Sequence, residues 1–198
     1  PPGGFALRSP QIIGLLRDAA QYEPGFDLTK WTQRNSTTRD FASGKAANNV
    51  TALNTVMGHL GDLAAKSEAL QNVEGWGPAT QTINQFKNWI HQKSGDPRIT
   101  EFNLARNAVS DELARVFRQV GMTDSEVRQW KENISDSFSP TQLRGTIKTA
   151  LGLIESRLEA LADQRSRGMD KTLKWVDLLN EKSKLTLNKL EKWTEGQP

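Results

Sequence analysis

Apolar residues recur along this chain at intervals of three and four, and stretches alternating with period two are nearly absent, so the pattern predicts helices from end to end. Ser9-Pro10 pairs a capping side chain with a proline whose missing N–H costs nothing in a first helical turn. The helix it opens carries Ile12, Ile13, Leu15, Leu16 and Ala19, and fades over 22–25. Asp27 opens a second segment through Leu28, Trp31 and Phe41, in which Asn35-Ser36-Thr37-Thr38 has poor helix propensity and predicts a less stable turn. A long helix follows at about 45–71. In it Val50, Leu53, Met57, Leu60 and Ala64 fall at spacings of 3, 4, 3 and 4, the mark of a coiled-coil seam. Glycines and Pro78 break it at 74–78, and a further helix runs through Ile83, Phe86, Trp89 and Ile90 to a turn at 94–97.

The second half repeats this pattern. A helix at about 99–120 presents Phe102, Ala105, Val109, Leu113, Val116 and Val120 on one face, with Gly121 where a left-handed C-cap belongs. Thr123-Asp124-Ser125-Glu126 has capping-box spacing and opens a short helix through Val127, Trp130 and Ile134. Ser139-Pro140 begins the strongest seam: Leu143, Ile147, Leu151, Ile154, Leu158 and Leu161, which requires a partner helix. The stretch 164–168 ends or bends that helix, and a last helix is expected over 170–193, with Trp175 and Trp193 near its ends. The fold class expected is all-α, an elongated multi-helix bundle with long, antiparallel, coiled-coil-like helices. Residues 1–26 read as an N-terminal linker and short helix and 27–167 as the main bundle. Residues 168–198 read as a C-terminal helix leading into, or packing on, a further region. The seam residues Val50, Leu53, Met57, Leu60, Leu143, Ile147, Leu151, Ile154, Leu158 and Leu161 are expected to serve helix packing or contact between subunits.

Composition narrows the chemistry. With no cysteine among 198 residues, disulfides, thiol nucleophiles and cysteine-ligated metals are excluded, and two histidines are too few for a multi-histidine metal site. Leu, Ile, Val and Phe supply only 44 residues, a lean core suited to thin helical packing. The net charge is +3, and the six lysines within 171–192 are offset by acidic residues in the same region, so no basic stripe of a dedicated nucleic-acid module stands out. His59 and Asp62 share a helix face and could form a base pair of catalytic type, or His59 could simply be packed in the fold. His91 sits at a helix C-terminus, where an imidazolium suits the helix dipole. Glu101, Asp111, Glu112 and Glu155 are the carboxylates a wall-degrading site could use, yet they read as solvent-facing partners of arginines. Ser43-Gly44-Lys45 resembles the end of a phosphate loop without the rest of the motif and reads as a bend. No catalytic, cofactor-binding or metal-ligating residue is assigned, and no cofactor is expected. Six tryptophans against one tyrosine suit anchors at helix crossings. Trp175 and Trp193, on a lysine-bearing segment, are also candidates for contact with a membrane or a partner.

Three blocks carry a resemblance: Phe41-Ala42-Ser43-Gly44-Lys45 through Ala52-Leu53-Asn54-Thr55 to Gly58-His59-Leu60; Phe102-Asn103 through Ala105-Arg106-Asn107-Ala108-Val109 to Glu112-Leu113; and Ser139-Pro140 through Gln142-Leu143-Arg144-Gly145. In this order the chain resembles a family of helical virion proteins of tailed bacteriophages and prophages, over about 9–167. That resemblance implies an internal or DNA-ejection protein of a short-tailed phage. Such a protein is packed in the particle and released into the host envelope, where it helps form a core or channel for the genome. The partners implied are further copies of the chain and other virion proteins, with weak non-specific DNA contact and transient contact with the host envelope. It supplies no catalytic residue. A tail or tape-measure segment retained in the virion, a peptidoglycan-degrading virion enzyme and a helical DNA-binding module are the alternatives. The start at Pro1 rather than methionine suggests a piece of a longer protein.

Overall fold

The computed structural model describes residues 10–22, 28–73, 83–119, 123–135 and 140–196, and among these there are helices, turns and no strand. The helices are α1 (Pro10–Tyr22), α2 (Leu28–Ser43), α3 (Lys45–Ala69), α4 (Ile83–Gln92), α5 (Pro97–Gln119), α6 (Asp124–Ser135), α7 (Pro140–Met169) and α8 (Glu181–Thr194). The fold is an all-α helical bundle. The expected breaks at 23–25 and 74–78, the capping residues Ser9 and Ser139, and Gly121 lie outside the described residues.

Helix α3 is the hub, packing against α2, α5, α7 and α8. Its buried positions Leu53, Val56, Met57, Leu60 and Leu63 meet Val109 and Leu113 of α5, Ile134 of α6 and the α7 seam in one continuous core. The α7 residues Leu143, Ile147, Ile154, Leu158 and Leu161 are almost fully buried, Leu151 is buried, and Val50 is half-buried. The seams are therefore closed within a single chain. As subunit contacts the buried ones are withdrawn, because a buried side chain has no face left for a neighbour; Val50 keeps a face on the hollow beside α8.

Three tryptophans act as large anchors. Trp89 packs against Phe86 with ring centroids 5.7 Å apart, and Trp130 lies 5.5 Å from Phe117. Trp193 is only 7% exposed, under the Arg144 guanidinium at 5.4 Å from its ring. Burial removes Trp193 as a membrane anchor, and Trp175 is half-buried against the same core.

Two local expectations are corrected. The run Asn35–Thr38 is not a turn, and α2 continues through it to Ser43. Docking overrides the poor propensity: Gln33 donates to the Arg167 carbonyl at 3.3 Å, Lys30 pairs with Asp170 at 3.3 Å, and Arg165 stacks on Phe41. The last helix does not begin at 170. Asp170 adopts a left-handed conformation with φ 53°, and the Lys171 N–H closes back on the Ser166 carbonyl at 3.1 Å, a Schellman-type stop. The chain then crosses over through a 3-10 turn at Trp175–Leu178 and re-enters a helix only at Glu181.

The bend at Gly44 is a helix-to-helix break. A Cβ there would sit 2.7 Å from the Asp40 Cα and 2.9 Å from its carbonyl oxygen, so glycine is required by close approach. The Asp40 carboxylate accepts from the Ala46 N–H at 3.1 Å and from Gln164 at 3.2 Å. It occupies the place at the start of α3 that a phosphate would need. At the start of α5, Asp96 accepts from the Arg98 N–H at 2.9 Å and from its guanidinium at 2.7 Å. The side-chain bond to Arg98 is the main reason the Asp96 carboxyl is held below the ordinary aspartate range.

Candidate functional site

The crossover after α7 lays α8 alongside α3, running in the same direction. Asn54 faces Asn180, Gly61 faces Thr186, and the far end of α3 approaches Trp193. Between the two helices runs a groove of two adjoining hollows, about 640 and 580 Å³, which share Gly58, Asp62 and Lys182.

A polar staple holds the first hollow. The Asn54 side-chain amide donates to the Leu178 carbonyl at 3.1 Å and to its own helix at the Val50 carbonyl, 2.8 Å away. Its Oδ1 accepts from the Asn180 N–H at 2.9 Å. The Ser183 hydroxyl donates back to the Asn54 carbonyl at 3.3 Å. Asn180 is meanwhile the N-cap of α8, its Oδ1 accepting from the Ser183 N–H at 2.8 Å. Glu181, in the first turn, lies 2.8 Å from Lys184, and that hydrogen bond raises the pKa of the ammonium group.

Close approach holds the second hollow. A Cβ on Gly61 would stand 2.5 Å from the Thr186 Cγ2. Changing Gly61 to leucine is expected to push α8 away and cost about 1–3 kcal/mol, the range for overpacking. Thermal melting of G61L and of G61L/T186A checks this, because shortening Thr186 recovers stability only if that contact is the cause.

His59 and Asp62 both line the groove, as their shared helix face requires. His59 is half-buried, and its Nδ1 has no hydrogen-bond partner among the described residues. Asp62 is exposed, and the nearby Ser183 hydroxyl is engaged by Asn54. The groove therefore sets an imidazole and a carboxylate on its α3 wall across from the Lys182 ammonium on α8. The other carboxylates are scattered. Glu101 pairs with Lys66 and Asp111 with Lys131 at 2.6 Å, lysines rather than the expected arginines; Glu155 is exposed and Glu112 half-buried on separate helices. His91 is exposed in the last turn of α4. The described residues hold no group of three or more His, Asp or Glu placed to bind a metal ion, and no helix among them is long and apolar enough to cross a membrane.

No protein-family model, curated protein or solved structure matches the chain. The residues that matter most here, Asn54, Gly61, Asn180 and Ser183, escaped the sequence reading. Gly58 and Gly61, three apart and followed by Ala64 and Ala65, were the available signal that another backbone approaches closely. Asn180 ahead of Glu181 was the signal for a helix start.

Proposed function

We propose that this chain is a structural element of a tailed-phage virion, of the internal or ejection type, that helps form a core or channel for genome delivery across the host envelope. It works without catalysis, as an elongated bundle of long, mostly antiparallel, coiled-coil-like helices, in copies that assemble with one another and with other virion proteins. In the particle it is stored; after ejection it resides in the host envelope, touching DNA weakly and without reading sequence.

The observation that carries this reading is where the resembling blocks fall. The first runs from the end of α2 into α3 as far as Leu60, the second lies on α5, and the third opens α7. Their buried members Leu53, Leu60, Phe102, Val109, Leu113 and Leu143 belong to one core. The resembling blocks therefore contribute to one packing unit. The pairing of Glu101 and Asp111 with surface lysines favours architecture over wall cleavage, because a glycosidase needs one desolvated acid in a cleft.

A lean core without disulfide or metal staples suits a protein that unfolds to pass a narrow tail and folds again. Sedimentation across a concentration series, with reversible thermal melting, tests this assembly role. Concentration-dependent association and a modest melting temperature are expected. A strict monomer stable above ~90 °C overturns the reading.

A further inference from the structure

We propose that α8 is an exchangeable helix: the chain opens at residues 170–180, and α8 of one copy closes against α3 and α7 of a second copy. The exchange rests on the self-assembly put forward above and supplies its contact. A seam closed within one chain has no free face for an added neighbour. The same helix from another copy closes it equally well, because every side-chain contact is repeated.

The hinge is built against its own local preference. From Met169 to Glu195 the sequence holds no glycine or proline. Met169, Leu173, Val176, Asn180, Ser183 and Leu187 fall at spacings of 4, 3, 4, 3 and 4, the register of one unbroken helix running from α7 into α8. The closed fold breaks that helix at Asp170, held left-handed at φ 53°, a conformation that only glycine adopts without cost. Lys174, Leu179 and Asn180 are then extended. Straightening 170–180 into helix removes the left-handed residue and carries α8 away from its own bundle. Leu178 and Leu179 leave the core in that step. They share an apolar arc of the straightened helix with Leu173, Trp175 and Val176, and the two hinges of an exchanged pair cover these arcs where they run side by side.

The contact that α8 leaves is loosely made. Two hollows open along it, and His59 Nδ1 on α3, Arg144 Nε on α7 and Trp193 Nε1 on α8 are buried without a hydrogen-bond partner among the described residues. Unsatisfied polar groups weaken a contact, so α8 is the helix that comes away first. What it loses, the Asn54 bonds and the Leu190 and Trp193 packing, is restored in the second copy. Reciprocal exchange closes a pair, and exchange passed from copy to copy builds a ring.

The α3–α8 contact provides its own reporter. A Cβ at position 61 stands 3.8 Å from the Thr186 Cβ, the spacing of a disulfide, and the chain has no competing cysteine. The full chain carrying Gly61→Cys and Thr186→Cys is oxidised as dilute monomer and as concentrated oligomer, then separated under denaturing, non-reducing conditions. The monomer is expected to bridge internally, which also shows that the variant folds, and the oligomer to bridge between copies. Asp170→Gly and Asp170→Ala both delete the ion pair with Lys30, so their difference reports the backbone alone. Alanine is expected to favour the exchanged form about tenfold per hinge, and so about a hundredfold in the dimer dissociation constant measured by sedimentation. Oligomers bridged only internally, or equal dissociation constants for the two Asp170 variants, overturn the exchange and leave the assembly reading standing. A chain that stays monomeric at every concentration, Asp170→Ala included, overturns both.

Discussion

Replacing Leu63 with alanine is expected to be among the most damaging single changes in the molecule, costing about 4 kcal/mol within the 2–5 range for such truncations. Leu63 is fully buried where α3 meets α5, α6 and α7, beside Leu60, Leu113 and Ile147, around a residual gap with no room for water. Walls contributed by four helices cannot all move inward, so most of the deleted volume persists as cavity and the loss falls toward the upper end. For a chain of this size each kcal/mol lowers the melting temperature by roughly 2–4 °C, so a drop on the order of 10 °C is expected. In urea the midpoint falls while the slope is preserved, since the surface exposed on unfolding is nearly unchanged. Leu104→Ala is the internal comparison: the same deletion at a position 65% exposed is expected to cost about 0.5 kcal/mol or less. Equal costs at the two positions would contradict the packing.

Asn54→Ala is expected to act differently, by releasing one region rather than lowering everything together. The side chain links α3 to the crossover by donating to the Leu178 carbonyl and accepting from the Asn180 N–H. Each bond contributes about 1 kcal/mol net, and the stranded backbone groups add a desolvation cost, giving roughly 2–3 kcal/mol. That loss falls on α8, which holds to the bundle through the staple, Gly61 against Thr186, and Leu190 and Trp193 in the core. Hydrogen exchange is the measurement. Amides of the crossover and α8 should lose protection by about 30- to 150-fold, while those in the middle of α7 change far less. A uniform loss would show that α8 unfolds only with the whole bundle. Ser183→Ala, which removes a longer bond of 3.3 Å, is expected to give the same regional pattern at smaller size.

How much of this was readable from the residues differs between elements. The α3 and α7 seams were legible because a core helix repeats its apolar positions at the period of the backbone, and those positions are buried at 53, 57, 60, 143, 147 and 154. Their partners were not. A seam states that a helix needs a neighbour without stating whose, and here α5, α6 and α8 of the same chain complete them. The continuity of α2 through Asn35–Thr38 was hidden because its stabilisation comes from the end of α7, more than 120 residues away. The crossover was hidden for a related reason: Lys171, Leu173 and Lys174 are adequate helix formers, and only the left-handed Asp170 and the Ser166 hydroxyl, accepting from the Leu173 N–H at 2.9 Å, divert the chain. Of the groove, His59 and Asp62 were legible as one helix face. The opposite wall was not, since a straight helix over 170–193 would have placed Lys182 and Ser183 elsewhere. Trp193 misled because a tryptophan beside lysines reads as a surface anchor, whereas Arg144 covers it from within the fold.

The central claim, that this is a virion structural element delivered with the genome, is tested most directly by following the chain through particle emptying. Particles carrying this protein are purified, and its copy number per particle is measured by quantitative mass spectrometry before and after triggered DNA release. The account requires many copies in full particles and their loss from emptied ones, with the released chain recovered in the host envelope fraction. Retention after emptying would place it among the tail components, and absence from full particles would contradict the account altogether.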